Sequence, residues 1–115
     1  MGMKRGEIRW ADLPAPRGSE SGFRRPVLVV QANEFNESTI GTILVTVITS
    51  NMRLASAPGN LRLTPRVSHL SRESVVNVSQ VFALDRAYIG DLVGRLPERQ
   101  MLAVDEGLRL VFSLG

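Results

Sequence analysis

With 115 residues, 43% of them hydrophobic, the chain has the size and apolar content to build one core without disulfides or a structural metal. It has no cysteine, which excludes disulfide scaffolds, thiolate zinc sites and cysteine nucleophiles. The net charge is +3 and Lys4 is the only lysine, so the cations are almost all arginines, whose planar fork suits phosphate; a GC-rich genome would produce the same bias.

The pattern along the chain is mainly β. Residues 7–13 alternate polar and apolar, as a half-buried strand does, and Pro14 and Pro16 end it. Residues 14–24, with Gly18, Ser19, Ser21 and Gly22, read as a flexible surface loop. Residues 26–31 form a continuous apolar, β-branched run. This predicts a buried strand with Pro26 at its first position, where a missing N–H does least harm. Residues 33–36 read as a helical turn or loop. Residues 42–48 are a third strand, closed by the turn formers Thr49, Ser50 and Asn51.

Residues 52–60 carry Ala55, Ser56, Ala57, Pro58 and Gly59 and read as a mobile loop. Residues 61–64 predict a short strand, 74–80 and 81–84 two more, and 91–96 the last. The period then changes. Pro97 and Glu98 suit a helix start. Met101, Val104, Leu108 and Val111 recur at helical spacing, with Phe112 widening the stripe, so an amphipathic helix packed on the sheet is expected. Gly107 interrupts it, at a cost of roughly 1 kcal/mol against alanine. The whole predicts a small, strongly curved β-barrel with a C-terminal α-helix, in one domain over residues 1–115.

The informative residues fall at strand ends: Arg5-Gly6-Glu7-Ile8, Asp12-Leu13-Pro14, Gly18-Ser19-Glu20, Arg25-Pro26-Val27, Ile48-Thr49-Ser50-Asn51, Ser79-Gln80 and Leu84-Asp85-Arg86. The helix adds Asp105-Glu106-Gly107. In this order and spacing, from about Lys4 to Leu114, the chain resembles the MazF/PemK family of toxins from type II toxin–antitoxin systems. The resemblance implies an SH3-like barrel, a two-fold homodimer, and cleavage of single-stranded RNA without a metal or other cofactor. It implies that Arg25 and Thr49 are the catalytic pair, that the Gly18-Ser19-Glu20 loop overhangs the site, and that Gln80 lines the same groove. Arg24, Ser50, Asn51, Arg53 and Arg86 are further candidates for RNA contact, and the 52–60 loop for tuning which RNA is cut.

These residue types suit the chemistry. RNA carries its own nucleophile, the 2′-hydroxyl. An enzyme must align it with the leaving 5′-oxygen and stabilise the extra negative charge on phosphorus. A guanidinium does so with a bidentate donor fork, and a threonine hydroxyl adds a neutral donor. The products would be a 2′,3′-cyclic phosphate and a 5′-hydroxyl. Glu20 as proton acceptor, or Arg25 as donor to the leaving oxygen, both remain open at this stage.

Read without the resemblance, Arg25 is an ordinary strand-start cation and Thr49 a turn residue. His69, the only histidine, reads as a loop residue with a structural or solvent role, and Asp105-Glu106 as a solvated or ion-paired helix face. Trp10 and Tyr88 are too few to build a base-stacking platform, and Trp10 is expected to pack in the barrel or a dimer contact. Two other functions were weighed. A gyrase poison of the CcdB type would act through the end of its C-terminal helix, which here reads Val111-Phe112-Ser113-Leu114-Gly115. A non-catalytic SH3-like binding module would need clustered surface aromatics, and aromatics are 5%. No run approaches the roughly 20 apolar residues of a membrane span, and residues 1–6 lack the apolar core of a secretory signal, so a cytoplasmic protein is expected. The expected partner is an antitoxin whose acidic segment, with apolar anchors, is disordered until bound.

Overall fold

The computed structural model of the chain describes residues 2–13 and 23–115. The loop expected from Pro14, with Gly18, Ser19 and Glu20, lies outside them. Among the described residues, six strands form one antiparallel sheet: Glu7–Leu13 (β1), Phe23–Val29 (β2), Thr42–Thr49 (β3), Leu61–Leu63 (β4), Ser74–Asp85 (β5) and Ile89–Arg95 (β6). Their order is β4-β5-β3-β2-β1-β6, a curled half-barrel. Single helical turns at Asn33–Asn36 (α1) and Pro65–Ser68 (α2) and the helix Glu98–Phe112 (α3) complete the fold, with 3-10 turns at Met52–Ser56 and Arg86–Tyr88.

β2 begins at Phe23, so Pro26 lies inside the strand, and Arg24 belongs to the strand instead of the loop. Pro26 is paired with Trp10 of β1, and pairing with β3 starts only at Val27, the residue after the proline. A proline has no N–H to give a ladder, and here it stands where one ladder has not yet begun. The apolar run at 27–29 is continuous because β2 is covered on both sides. Leu28 joins Ile8, Ile48, Val76, Val78, Met101 and Val104 under α3. Val27 and Val29 join Ala11, Ile43, Val45, Leu84 and Ile89 on the other face, where the far half of β5 and the start of β6 fold over.

The strands expected at 74–80 and 81–84 are one strand. Its register against β3 slips between Thr46↔Val81 and Val47↔Asn77, so Val78, Ser79 and Gln80 bulge out and β5 bends there. The 52–60 segment also differs from expectation. Its 3-10 turn is capped by the Asn51 side chain, and Asn60 ties the loop down by donating to Leu54 O and Asn77 Oδ1 and accepting from the Val78 N–H. α2 was not expected, although Thr64 before Pro65 is an N-cap signal, and the Thr64 hydroxyl accepts from Val67 N–H.

In α3, Met101, Val104 and Gly107 are buried and Leu108 is half-buried, but Val111 and Phe112 are exposed. The apolar stripe outruns the sheet beneath it. Gly107 has a positive reason to be glycine: a Cβ there would stand 2.3 Å from the carbonyl oxygen of Gly59. The helix and the loop after the 3-10 turn touch backbone to backbone.

Candidate functional site

Two ladders meet at the end of the sheet where β2 starts and β3 stops. Val27 pairs with Val47, and continuing that register by two residues sets Arg25 opposite Thr49. Both are half-buried. Side chains alternate along a strand, so Arg25 shares a face with Val27, and Thr49 shares it with Val47. The Thr49 Oγ1 accepts from the Asn51 N–H at 3.1 Å, which leaves its own hydrogen to donate. Asn51 in turn accepts from the Arg53 N–H at 3.2 Å. The Thr49-Ser50-Asn51 end is therefore held by a short chain of side-chain caps, and Arg53 rides exposed on the turn that follows.

Gln80 is exposed at the bulge of β5. Its Oε1 accepts from Asn77 Nδ2 at 2.7 Å, while Asn77 Oδ1 accepts from Asn60 Nδ2 and from the Ser79 hydroxyl. The Gln80 carbonyl is thereby occupied, and its amide hydrogens point the remaining polarity outward. Sequence alone assigns no role to Asn60 or Asn77.

Arg86 is set apart. β5 starts beside Thr49 and ends beside Thr42, so Arg86 lies at the far end of the sheet. Its guanidinium donates to the carbonyl oxygens of Ile40 (2.8 Å) and Asn36 (2.9 Å), pinning the α1 connection. The Gly18, Ser19 and Glu20 positions lie outside the described residues.

The reverse face of the same sheet end holds a cleft of about 500 Å³. It is lined by Trp10, Arg24, Arg25, Pro26, Ile48 and Val93 from the strands, by Ser50 just after β3, and by 69–72 and Ser74 after α2. Arg24 stacks its guanidinium 5.6 Å above the Trp10 ring and lies 3.7 Å from Asp91. His69, expected as a loop residue with a structural or solvent role, borders this cleft. It caps α2 in the left-handed region (φ 67°), and its ring rests on Gly94, where a Cβ would come within 3.3 Å of His69 Cγ.

Other residues of the motifs prove to be braces. Arg5 pairs with Asp105 of α3 at 2.6 Å and also donates to Val30 O. Glu7, 2% exposed, receives the Lys4 N–H and the guanidinia of Arg9 and Arg95. Its burial raises its pKa. The Lys4 N–H, then Arg9, then Arg95 pull the other way, and the net result lies below a glutamate's ordinary 4.5. Among the described residues, no three His, Asp or Glu side chains come together as metal ligands would. None of the helices there is long and apolar enough to cross a membrane.

The family described as PemK-like, MazF-like toxin of type II toxin–antitoxin system matches residues 4–112. The chain is similar to a Mycobacterium tuberculosis protein named Endoribonuclease MazF6, with 46% identity over 114 residues, 99% of this chain and all of that one. It is also similar to Endoribonuclease EndoA of Bacillus subtilis, with 32% identity over 112 residues, 97% of this chain and 96% of that one. In fold it matches a mycobacterial endoribonuclease solved in complex with its cognate antitoxin, with a TM-score of 0.79 at 21% identity, covering 98% and 97% of the two chains. Of the three functions weighed from the sequence, these relatives support the ribonuclease.

Proposed function

The chain belongs to the PemK-like, MazF-like toxins of type II toxin–antitoxin systems and is an endoribonuclease, and on that premise we propose that Arg25 and Thr49 are its catalytic pair. The observation that carries this reading is the β2–β3 register, whose last pair is Val27↔Val47; continued by two residues, it brings Arg25 and Thr49 opposite each other at the sheet end. There, Arg25 gives its fork to the non-bridging oxygens of the scissile phosphate, and the Thr49 hydroxyl donates to one of them. The 2′-oxygen of single-stranded RNA attacks phosphorus, and the bond to the 5′-oxygen breaks. A 2′,3′-cyclic phosphate and a 5′-hydroxyl remain. Glu20 is our candidate to take the 2′-hydroxyl proton, and the leaving 5′-oxygen takes a proton from Arg25, which water then restores. Ser50, Asn51, Arg53 and Gln80, with Gly18 and Ser19 of the loop, are our candidates for the contacts that set which bases fit. The charge on phosphorus is met by Arg25, so no metal enters a step.

The toxin acts in the cytoplasm, as a homodimer of one-domain chains. The exposed apolar end of α3 supports the dimer. An antitoxin blocks the groove with an acidic, apolar-anchored segment that is disordered until it binds. The solved complex of the mycobacterial relative supports this partner class.

Purified protein incubated with a defined RNA in excess EDTA should cut it and leave the two ends named above. Arg25→Ala and Thr49→Ala should each lower kcat/KM by about 100-fold or more while remaining folded. Near-wild-type cutting by folded Arg25→Ala, or activity that vanishes on chelation and returns with magnesium, would overturn the mechanism.

A further inference from the structure

We infer that the cleft behind the catalytic pair is a subsite for one unpaired nucleotide of the RNA, with its base on Trp10 and its phosphate held by Arg24 and Arg72. The inference rests on the ribonuclease reading above and extends it to the opposite face of the sheet. Four observations carry it. The cleft's volume, about 500 Å³, is that of a site for a small organic molecule. Its lining joins two aromatic rings, Trp10 and His69, to the cations Arg24 and Arg72 and the hydroxyls of Ser50, Ser71 and Ser74. An aromatic floor with flanking guanidinia is what a base and its phosphate need together, because stacking is indifferent to sequence and the phosphate is held by charge.

The cleft also adjoins the scissile site. Arg25 and Ser50 are part of its lining, and Ser50 follows Thr49 directly. A strand whose phosphate lies on Arg25 has its neighbouring nucleotide at this edge. Finally, Arg24 now lies over the Trp10 ring, and its weak pairing with Asp91, both side chains being exposed, costs little to exchange for a phosphate; swinging onto that phosphate uncovers the ring face for the base. The His69 ring is fixed in place by the left-handed cap of α2 and by Gly94 behind it. Among the described residues it has no hydrogen-bond partner, so both ring nitrogens are open to the ligand.

Trp10 is the only tryptophan in the chain, so its emission reports on the cleft directly. The probe is a single-stranded DNA oligomer, which lacks the attacking 2′-hydroxyl. It is titrated into the wild-type enzyme while its inhibition of RNA cleavage is measured in parallel. Saturable quenching with a Kd equal to the inhibition constant is expected. Arg72→Ala should raise both about tenfold and raise KM for RNA with kcat nearly unchanged. Trp10→Phe, which keeps a ring, should retain KM, whereas Trp10→Ala should raise it about tenfold. An oligomer that inhibits without altering emission would overturn the subsite and leave the ribonuclease reading standing. So would an Arg72→Ala enzyme with unchanged KM, an oligomer that does not bind, or quenching produced only by an antitoxin peptide or by raising the protein concentration. An enzyme that cuts no RNA would instead sink the reading on which the subsite rests.

Discussion

Glu7 is a carboxylate held charged in a buried position. Water is replaced there by the Lys4 N–H and two guanidinia, and those donors outweigh the burial. Because its folded pKa lies below its unfolded one, it contributes stability at pH values above the ordinary glutamate range. That contribution is lost as pH falls through the lowered folded value. Urea midpoints should therefore drop on acidification below about pH 4.5 in the wild type and change less steeply in Glu7→Gln. At neutral pH that variant should be weaker by about 1.5–3 kcal/mol, the worth of hydrogen bonds to a charged group. Equal pH slopes in the two proteins would show that Glu7 is not the titrating brace. The sequence showed Glu7 only as one polar step in an alternating strand, because its partner Arg95 is far along the chain. The catalytic candidates have the same history. Residue chemistry alone left Arg25 an ordinary strand-start cation, and its position opposite Thr49 arises from the register of β2 on β3, which no local pattern encodes. His69 and Arg72 were unreadable for the same reason: α2 brings them to a cleft whose other walls come from β1, β2 and β6.

Among the elements, the legible ones were those with a clean period. The alternation at 7–13 gave β1 to the residue, and the β-branched run at 42–48 gave β3 to within one. The errors occurred where tertiary contacts overrode local signals. Pro26 was read as a strand start because its partner in β1 could not be seen, and the bulge in β5 was read as a break. Gly107 was read as a helix defect, although it is a contact. Alanine there gains about 1 kcal/mol of helix propensity, but its Cβ would meet the Gly59 backbone and Val78 Cγ1, at 3.1 Å from the latter. The clash is with backbone and cannot be relieved by rotating a side chain. Gly107→Ala should therefore destabilise the protein by about 2 kcal/mol net, as overpacking does, and lower its Tm by several degrees. A Tm raised by the substitution would show that helix and loop separate freely.

For the molecule as a whole, the end of α3 is an uncovered apolar surface. Leu110, Phe112 and Leu114 are 60%, 54% and 63% exposed. Leu110→Glu with Phe112→Glu should convert a dimer at micromolar concentration into a monomer, read by light scattering, without changing the far-UV spectrum. A variant that stays dimeric would move the two-fold contact elsewhere. The order of the sheet has a different consequence, one that concerns how the chain is made. β1 lies between β2 and β6, with Ile8 opposite both Leu28 and Gly94, and Arg5 reaches Asp105. As the chain leaves the ribosome, β1 can meet β2 early, but its other neighbour, β6, is synthesised only after the four strands between them in sequence. Contacts this distant in sequence form late and slowly. The native sheet therefore closes only after residue 95 has emerged, and α3 locks onto Arg5 later still.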